Sequence, residues 1–180
     1  MLMQHPSPAL KPPLGERDHV IGSPAATIEL VEYGDFQCPH CGRAHPIVNQ
    51  IRQEYSEQLR FAFRHFPLTK MHPYARKAAE AAEAAAAQGK FWEMHDTLFE
   101  NQEALESAEL VRYAGQIGLD VARFQGELVG GIYAQRVQED IASGIRSGVN
   151  GTPTFFINGK RHNGGYDYES LKEAIDVNDE

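Results

Sequence analysis

The chain has 180 residues, of which 42% are hydrophobic, enough to bury one core as a single domain with an insertion. Its formal net charge of −8 argues against nucleic acid and anionic membranes as partners. No stretch is long and apolar enough to span a bilayer, so we expect no membrane partner.

The first part of the chain, residues 1–17, is rich in proline and poor in apolar side chains. It contains no hydrophobic run and no small-residue cleavage site, so it is not a signal peptide. We expect a disordered or extended N-terminal arm. The lack of an export signal predicts a cytoplasmic protein, and a periplasmic location stays open if an exported precursor was truncated.

Three strands are predicted after the arm. Residues 18–22 form a short first strand, and residues 27–33 form a core strand rich in β-forming side chains. Alternating side chains over residues 59–66 predict a second core strand. The intervening helix completes a β-α-β unit, in which the two core strands are parallel and the crossover is right-handed.

A helical segment follows and separates this unit from a C-terminal hairpin. Residues 71–144 contain an alanine-rich stretch of high helix propensity and several apolar stripes at helical spacing. Asn158-Gly159 is the strongest short-range signal for a hairpin turn, and it predicts two short strands within residues 154–162. A last helix is predicted over residues 168–177.

The only two cysteines, Cys38 and Cys41, lie where the first core strand passes into a helix predicted from Pro39 to about Glu57. Proline is tolerated best at the first helical position, which makes Cys38 the N-cap. Its sulfur then faces unpaired backbone N–H groups at the positive end of the helix dipole, and a cationic His40 would further stabilise the thiolate. Cys41, one turn on, can close a disulfide with it. We predict an exposed, acidic, nucleophilic Cys38 and a more buried Cys41.

One hexapeptide resembles a known active site: Phe36-Gln37-Cys38-Pro39-His40-Cys41. It is similar to the motif of the DsbA-type thiol:disulfide oxidoreductases, a branch of the thioredoxin superfamily. The resemblance extends over about residues 18–175. It implies an α/β, thioredoxin-like fold, with a central mixed β-sheet flanked by helices and an inserted all-helical domain.

The same resemblance implies a division of the chain. We expect an arm at residues 1–17, a thioredoxin-like domain made of residues 18–70 and 145–180, and a helical insertion at residues 71–144. No dimerisation segment is evident, so we expect a monomer.

Two further matches support the resemblance. Residues 151–157 resemble the family's cis-proline loop and the strand after it, which implies that Thr152 and Pro153 form a substrate-binding edge near the sulfurs. Glu32, six residues before Cys38, stands where the family carries a buried acid. Such an acid would have a raised pKa and would exchange a proton with Cys41.

The expected function is thiol:disulfide exchange with protein or small-thiol substrates, in the oxidising direction. The resemblance implies catalytic roles for five residues: Glu32, Cys38, Pro39, His40 and Cys41. We expect a redox-recycling partner, and no metal, nucleotide or organic cofactor is required. A thiol-based redox sensor and a peptide-binding or chaperone-like module are the alternatives.

Several residues have a second interpretation. Cys38 and Cys41 could be half of a zinc site, although the sequence shows no second cysteine pair to complete it. Glu32 could face solvent from an alternating strand. Asp35 introduces a carboxylate that would oppose the formation of a thiolate at Cys38. Four histidines are expected to be structural: His45, His65, His72 and His95.

Overall fold

The computed structural model describes residues 7–179. Within them, five strands form one mixed sheet in the order β1-β3-β2-β4-β5. The strands are β1 (His19–Gly22), β2 (Ile28–Gly34), β3 (Leu59–His65), β4 (Thr154–Ile157) and β5 (Lys160–Arg161). The two core strands, β2 and β3, are parallel as predicted, and the other three pairs are antiparallel.

Seven α-helices surround this sheet in the described part of the chain. They are α1 (Pro39–Tyr55), α2 (Ala75–Ala86), α3 (Phe91–Glu100), α4 (Ser107–Gln116), α5 (Val121–Val129), α6 (Ala134–Arg146) and α7 (Tyr168–Asn178). Helix α1 ends two residues before the predicted position because a 3₁₀ turn, Ser56–Gln58, follows it. Helices α2 to α6 separate β3 from β4, while the domain boundaries at residues 70 and 144 stay predictions. None of the helices between residues 7 and 179 has the length and apolarity needed to cross a bilayer.

Both faces of the sheet are buried. Because side chains along a strand point alternately to the two faces, each core strand contributes to both. On one face, Leu30 and Phe61 pack with α1, α7 and the helical segment in a large apolar cluster. On the other face, Val31 and Phe156 pack with a smaller cluster that includes Ile141 of α6. The mixed α/β fold expected from the resemblance is confirmed.

The described part of the N-terminal arm is ordered. Ala9 forms an isolated antiparallel bridge with Lys160 of β5, and Leu10 is only 5% exposed within the smaller apolar cluster. Of the two expected states of the arm, disordered or extended, the disordered one is wrong for residues 7–17, because one apolar side chain and the edge of β5 hold this segment. Residues 1–6 lie outside the described residues.

Helix α6 approaches the sheet closely at Gly144. A Cβ atom at this position would lie 2.7 Å from Cδ2 of Phe66 and 3.1 Å from Cε1 of Tyr33. Gly126, in the middle of α5, has no atom within 4 Å of the position where its Cβ would stand. An alanine side chain at Gly144 would therefore meet packed rings, whereas at Gly126 it would project into open space.

We predict opposite effects of alanine at these two glycines. Gly126→Ala should raise the free energy of unfolding by about 0.5–1 kcal/mol, because alanine has the higher helix propensity and the space is free. Gly144→Ala should lower it by about 1 kcal/mol or more, since displacing two packed rings outweighs the same gain in propensity. Urea denaturation of both variants measures the difference, and equal signs would contradict the packing described here.

Candidate active site

The two cysteines lie at the junction between β2 and α1. Strand β2 ends at Gly34 and α1 begins at Pro39, so Cys38 is the N-cap residue, as predicted, with extended backbone angles of φ −71° and ψ 122°. The backbone N–H of Cys38 donates to the Asp35 carbonyl at 3.1 Å, and the Cys38 carbonyl accepts from the Gly42 N–H at 3.0 Å. The local sequence thus fixes the position of the sulfur at the start of the helix.

Both thiols are free and both are buried. Cys38 is 3% exposed and Cys41 is 0% exposed, so the prediction of an exposed Cys38 is wrong, whereas the order of burial is as expected. The loop before β4 covers the sulfur: in its protonated form the Cys38 thiol donates to the Thr152 carbonyl, with 3.6 Å between the sulfur and the oxygen. The peptide bond between Thr152 and Pro153 is cis.

Hydrogen bonds make Cys38 acidic. The pKa of Cys38 is lowered to about 5 against the opposing effect of burial, and the largest cause is the hydrogen bond that the Cys41 thiol donates to the Cys38 sulfur. The Thr152 side chain and the backbone N–H groups of Cys41 and His40 act in the same direction. None of these N–H groups forms a capping hydrogen bond of ordinary geometry with the sulfur, yet their dipoles favour the thiolate.

Cys41 has the opposite character. Burial raises the pKa of its thiol well above the ordinary value, and so does the hydrogen bond that it donates to Cys38. The negative charges of Glu32 and Cys38 act in the same direction. Two cysteines three residues apart therefore differ in acidity at neutral pH, with Cys38 ionised and Cys41 protonated.

Glu32 is buried within β2. It is paired with Phe63 of β3 and Phe155 of β4, and it is 2% exposed, which excludes the solvent-facing alternative. Burial raises the pKa of Glu32 to about 8, and the Cys38 thiolate contributes to the rise. Its Oε1 atom has no hydrogen-bond partner within the protein. A buried carboxyl with this pKa is protonated at neutral pH and can give or take a proton.

His40 differs from its predicted role. Its ring lies at the surface, where Nδ1 is 2.9 Å from the Tyr166 hydroxyl and 3.0 Å from Nη2 of Arg43. A guanidinium group only donates, so Nδ1 is the acceptor in its contact with Arg43. The His40 ring is not among the causes of the Cys38 pKa shift, and the residue acts on Cys38 through its backbone N–H.

Asp35 does not act as a free charge beside the sulfur. Its Oδ1 accepts from the Gln37 backbone N–H at 2.8 Å, and its Oδ2 lies 2.8 Å from His72 Nδ1 and 2.9 Å from the Leu68 backbone nitrogen. These partners hold the carboxylate between β2 and the loop after β3. Asp35 is absent from the groups that shift the pKa of Cys38, so the expected opposition to the thiolate is not observed.

Gln102, between α3 and α4, is a site residue that sequence reasoning missed. Its Nε2 donates to the backbone carbonyls of Phe36 and Cys38 at 2.9 and 2.8 Å. Gly42 makes room for it, since a Cβ there would lie 2.0 Å from Gln102 Oε1. The contact with Cys38 spans 64 residues of sequence, and no local sequence pattern predicts it.

Several proteins of known sequence are similar to this chain over most of its length. The Na(+)/H(+) antiporter NhaA 3 of Salinispora tropica is 49% identical over 160 residues, which cover 89% of this chain and 24% of that protein. The Na(+)/H(+) antiporter NhaA 1 of Mycobacterium sp. strain KMS is 45% identical over 166 residues, covering 90% and 27%. The chain thus spans about a quarter of the length of these relatives.

Solved structures share the fold. BdbD of Bacillus subtilis in its oxidised form is 25% identical, with a TM-score of 0.83 and coverage of 96% of each chain. A thioredoxin-like oxidoreductase of Silicibacter pomeroyi is 27% identical, with a TM-score of 0.78 and coverage of 89% and 91%. The α-DsbA1 protein of Wolbachia pipientis is 23% identical, with a TM-score of 0.79 and coverage of 91% and 92%, a likeness in fold alone.

A family model described as thioredoxin matches residues 15–177, which include both cysteines and the loop that covers them. The chain therefore belongs to the thioredoxin family.

Proposed function

We propose that the chain is an enzyme, a thiol:disulfide oxidoreductase that acts through Cys38 and Cys41 in the oxidising direction. The observation that carries this proposal is the contrast between the two thiols, because the pKa of Cys38 is about 5 while that of Cys41 is raised. Stabilising the Cys38 thiolate stabilises the dithiol form of the protein. A more stable dithiol form makes the disulfide form a stronger oxidant.

The reaction begins from the Cys38–Cys41 disulfide. A substrate thiolate attacks the sulfur of Cys38, a mixed disulfide forms, and the bond to Cys41 breaks with its electron pair on Cys41. Glu32 is protonated at neutral pH and is close enough to Cys41 to shift its pKa when ionised, so it supplies the proton that converts the departing thiolate into a thiol.

The second step releases the product. A second substrate thiolate attacks the substrate sulfur of the mixed disulfide, and Cys38 leaves as a thiolate. The pKa of about 5 makes Cys38 a good leaving group. Two substrate thiols have then become a disulfide, and their two electrons reside on the Cys38–Cys41 dithiol until a redox-recycling partner removes them. In the reducing direction Cys38 attacks first, and Cys41 resolves the mixed disulfide.

Substrates are thiol- or disulfide-containing proteins that approach along Thr152 and Pro153. The Thr152 carbonyl already contacts the Cys38 sulfur, which places this backbone beside the reacting atoms. An extended substrate segment can use a free backbone edge of this kind for recognition. The monomeric state and the cytoplasmic location stay predictions.

The first experiment measures the reduction potential of the pair together with the exchange activity of cysteine variants. We expect a potential above the value of about −270 mV typical of thioredoxin. Cys38→Ser should lose all exchange, and Cys41→Ser should accumulate mixed disulfides. A potential near −270 mV would overturn the oxidising direction. Unchanged function in Cys38→Ser would favour the peptide-binding alternative, and slow turnover on every general substrate would favour the redox sensor.

The acidity of Cys38 predicts how the reduction potential changes with pH. Below about pH 5 two protons accompany the two electrons, and the potential should fall by about 59 mV per unit. Between about pH 5 and about pH 7 only one proton is taken up, because Cys38 stays ionised, and the slope should halve to about 30 mV per unit. A single slope over the whole interval would show that the thiol is not acidic.

The origin of that acidity is tested by a matched pair of variants. Cys41→Ser keeps a donor that faces Cys38, whereas Cys41→Ala removes it. Since the Cys41 hydrogen bond is the largest contribution that lowers the pKa of Cys38, the thiolate should form at a higher pH in Cys41→Ala than in Cys41→Ser. Ultraviolet thiolate absorbance measures both midpoints, and identical values would leave the helix start as the main cause.

Glu32→Gln tests the proton transfer. Resolution of a mixed disulfide by Cys41 should slow by about 10²–10⁴-fold, because the ionised form of Glu32 that takes up the Cys41 proton is gone, while the first attack by Cys38 should keep its rate. Glu29→Gln is the control, since Glu29 lies on the same strand and pairs with Arg60 away from the cysteines. Rapid-mixing kinetics separate the two steps, and an equal slowing of both variants would refute the role of Glu32.

The same variant has a pH-dependent effect on stability. The pKa of Glu32 is raised from 4.5 to about 8 on folding, so the folded protein holds this proton more tightly than the unfolded chain. Wild-type stability should therefore fall as the pH rises from about 4.5 to about 8, by an amount on the order of 4 kcal/mol. Glu32→Gln should lose this fall in chemical denaturation, and Glu29→Gln should keep it.

A further inference from the structure

A second cluster of ionisable side chains lies between α1 and α3, apart from the cysteines. His45 projects from α1, and His95 and Asp96 are consecutive residues of α3. Oδ1 of Asp96 is 2.9 Å from Nδ1 of His95 and 3.8 Å from Nε2 of His45. One ligand atom from each residue lies within 4.8 Å of the other two. Fifty residues of sequence separate the two histidines.

We propose that His45, His95 and Asp96 bind a divalent transition-metal ion of the zinc class. Two imidazole nitrogens and one carboxylate oxygen form a donor set typical of zinc, with metal–ligand distances of about 2.0–2.2 Å. Tetrahedral geometry at these distances separates neighbouring ligand atoms by about 3.3 Å. The two separations that involve Asp96, 2.9 and 3.8 Å, lie on either side of this value, and the two histidine nitrogens lie within 4.8 Å of each other, so small side-chain shifts bring all three atoms onto one ion.

The packing holds the imidazole rings in position before an ion arrives. The His45 ring stacks on Phe99 at a centroid distance of 5.2 Å, and the His95 ring packs edge-to-face with Phe63 at 4.8 Å. The two imidazole centroids are 5.5 Å apart, close to the spacing of about 5 Å for two rings that share a tetrahedral zinc ion. Rigid ligands lose little conformational entropy on binding, which favours affinity.

The unpartnered nitrogen of His95 is a second observation that points to a ligand. With its proton on Nδ1, facing Asp96, the buried Nε2 atom of His95 is an acceptor without a hydrogen-bond partner. When a metal takes Nδ1, the proton moves to Nε2, where aromatic rings surround it and can accept an N–H···π contact. The His95 tautomer with its proton on Nε2 thus gives this buried atom a contact and leaves Nδ1 able to bind a metal.

Access and charge set the character of the site. The Asp96 side chain is 44% exposed, so an ion can enter from solvent and a water molecule can occupy the fourth position. Glu100 adds negative potential at His45, whereas the positive charge of Arg52 acts on both His45 and Asp96. Asn49 Nδ2 lies 3.5 Å from His45 Nε2, so the Asn49 side chain has to move away before this nitrogen can bind an ion. Arg52 therefore limits the affinity for a cation.

The test is a calorimetric titration of the disulfide form of the protein with zinc chloride. The Cys38–Cys41 disulfide removes both thiolates, so any binding belongs to another site. We expect one ion per chain. Asp96→Asn should bind it more than about 100-fold more weakly, a larger loss than the 10- to 100-fold typical of outer-shell partners. Glu93→Gln, an exposed change on the same helix, should bind it like the wild type.

Two further measurements guard against a variant that merely unfolds. Arg52→Gln should bind zinc more tightly than the wild type, because it removes a positive charge and no ligand. Zinc should also shift the ring-nitrogen resonances of His45 and His95 in wild-type protein. Absence of stoichiometric binding, equal affinity in Asp96→Asn and wild type, or unmoved histidine resonances would each overturn the proposal.

Discussion

The start of helix α1 at Pro39 is the constraint on which the active site depends. It puts the Cys38 sulfur at the helix N-terminus, where the Cys41 thiol and two backbone N–H groups favour its negative charge. Two hydrogen bonds hold the Cys38 backbone in place at this junction: the Asp35 carbonyl accepts from the Cys38 N–H, and Gln102 donates to the Cys38 carbonyl. Dipoles rather than a neighbouring cation therefore stabilise the thiolate. A dipolar environment formed by the backbone is fixed by the fold and needs no reorganisation when the charge appears or leaves.

The site carries three acidic groups but favours only one negative charge at neutral pH. Cys38 is ionised, and its charge raises the pKa values of both Glu32 and Cys41. Burial acts on the same two groups, since neither can be hydrated as an anion. Glu32 and Cys41 consequently each hold a proton next to the Cys38 sulfur, the atom that exchanges disulfide bonds. When Cys38 forms a disulfide its charge disappears, and the cost of ionising the neighbours falls. The proton of Cys41 thus becomes easier to remove at the moment when Cys41 must attack.

Local sequence predicted those features that depend on adjacent residues. Pro39 determined the helix start and hence the N-cap at Cys38, and Asn158-Gly159 produced the hairpin turn, with φ values of 47° and 79°. Features that depend on packing between distant parts of the chain were not predicted. The Thr152 loop, 114 residues away, covers a sulfur that capping rules alone leave exposed. Gln102 reaches the site from the helical segment for the same reason: periodicity shows which face of a helix is apolar, but not which distant amide it brings to a carbonyl.

The exposed His40 ring shows how one such distant contact changes the chemistry. In sequence, a histidine between two cysteines is a natural source of positive charge near the thiolate. In the fold, the Tyr166 hydroxyl and the Arg43 guanidinium both face His40 Nδ1, and Arg43 Nε also donates to Tyr166 at 3.3 Å. The positive charge of this group therefore belongs to Arg43, one turn along α1 and exposed to solvent, where salt screens it. The acidity of Cys38 is therefore explained by the hydrogen bonds of the Cys41 and Thr152 side chains and by the backbone N–H groups at the start of α1, all of which lie close enough to the sulfur to escape screening by solvent.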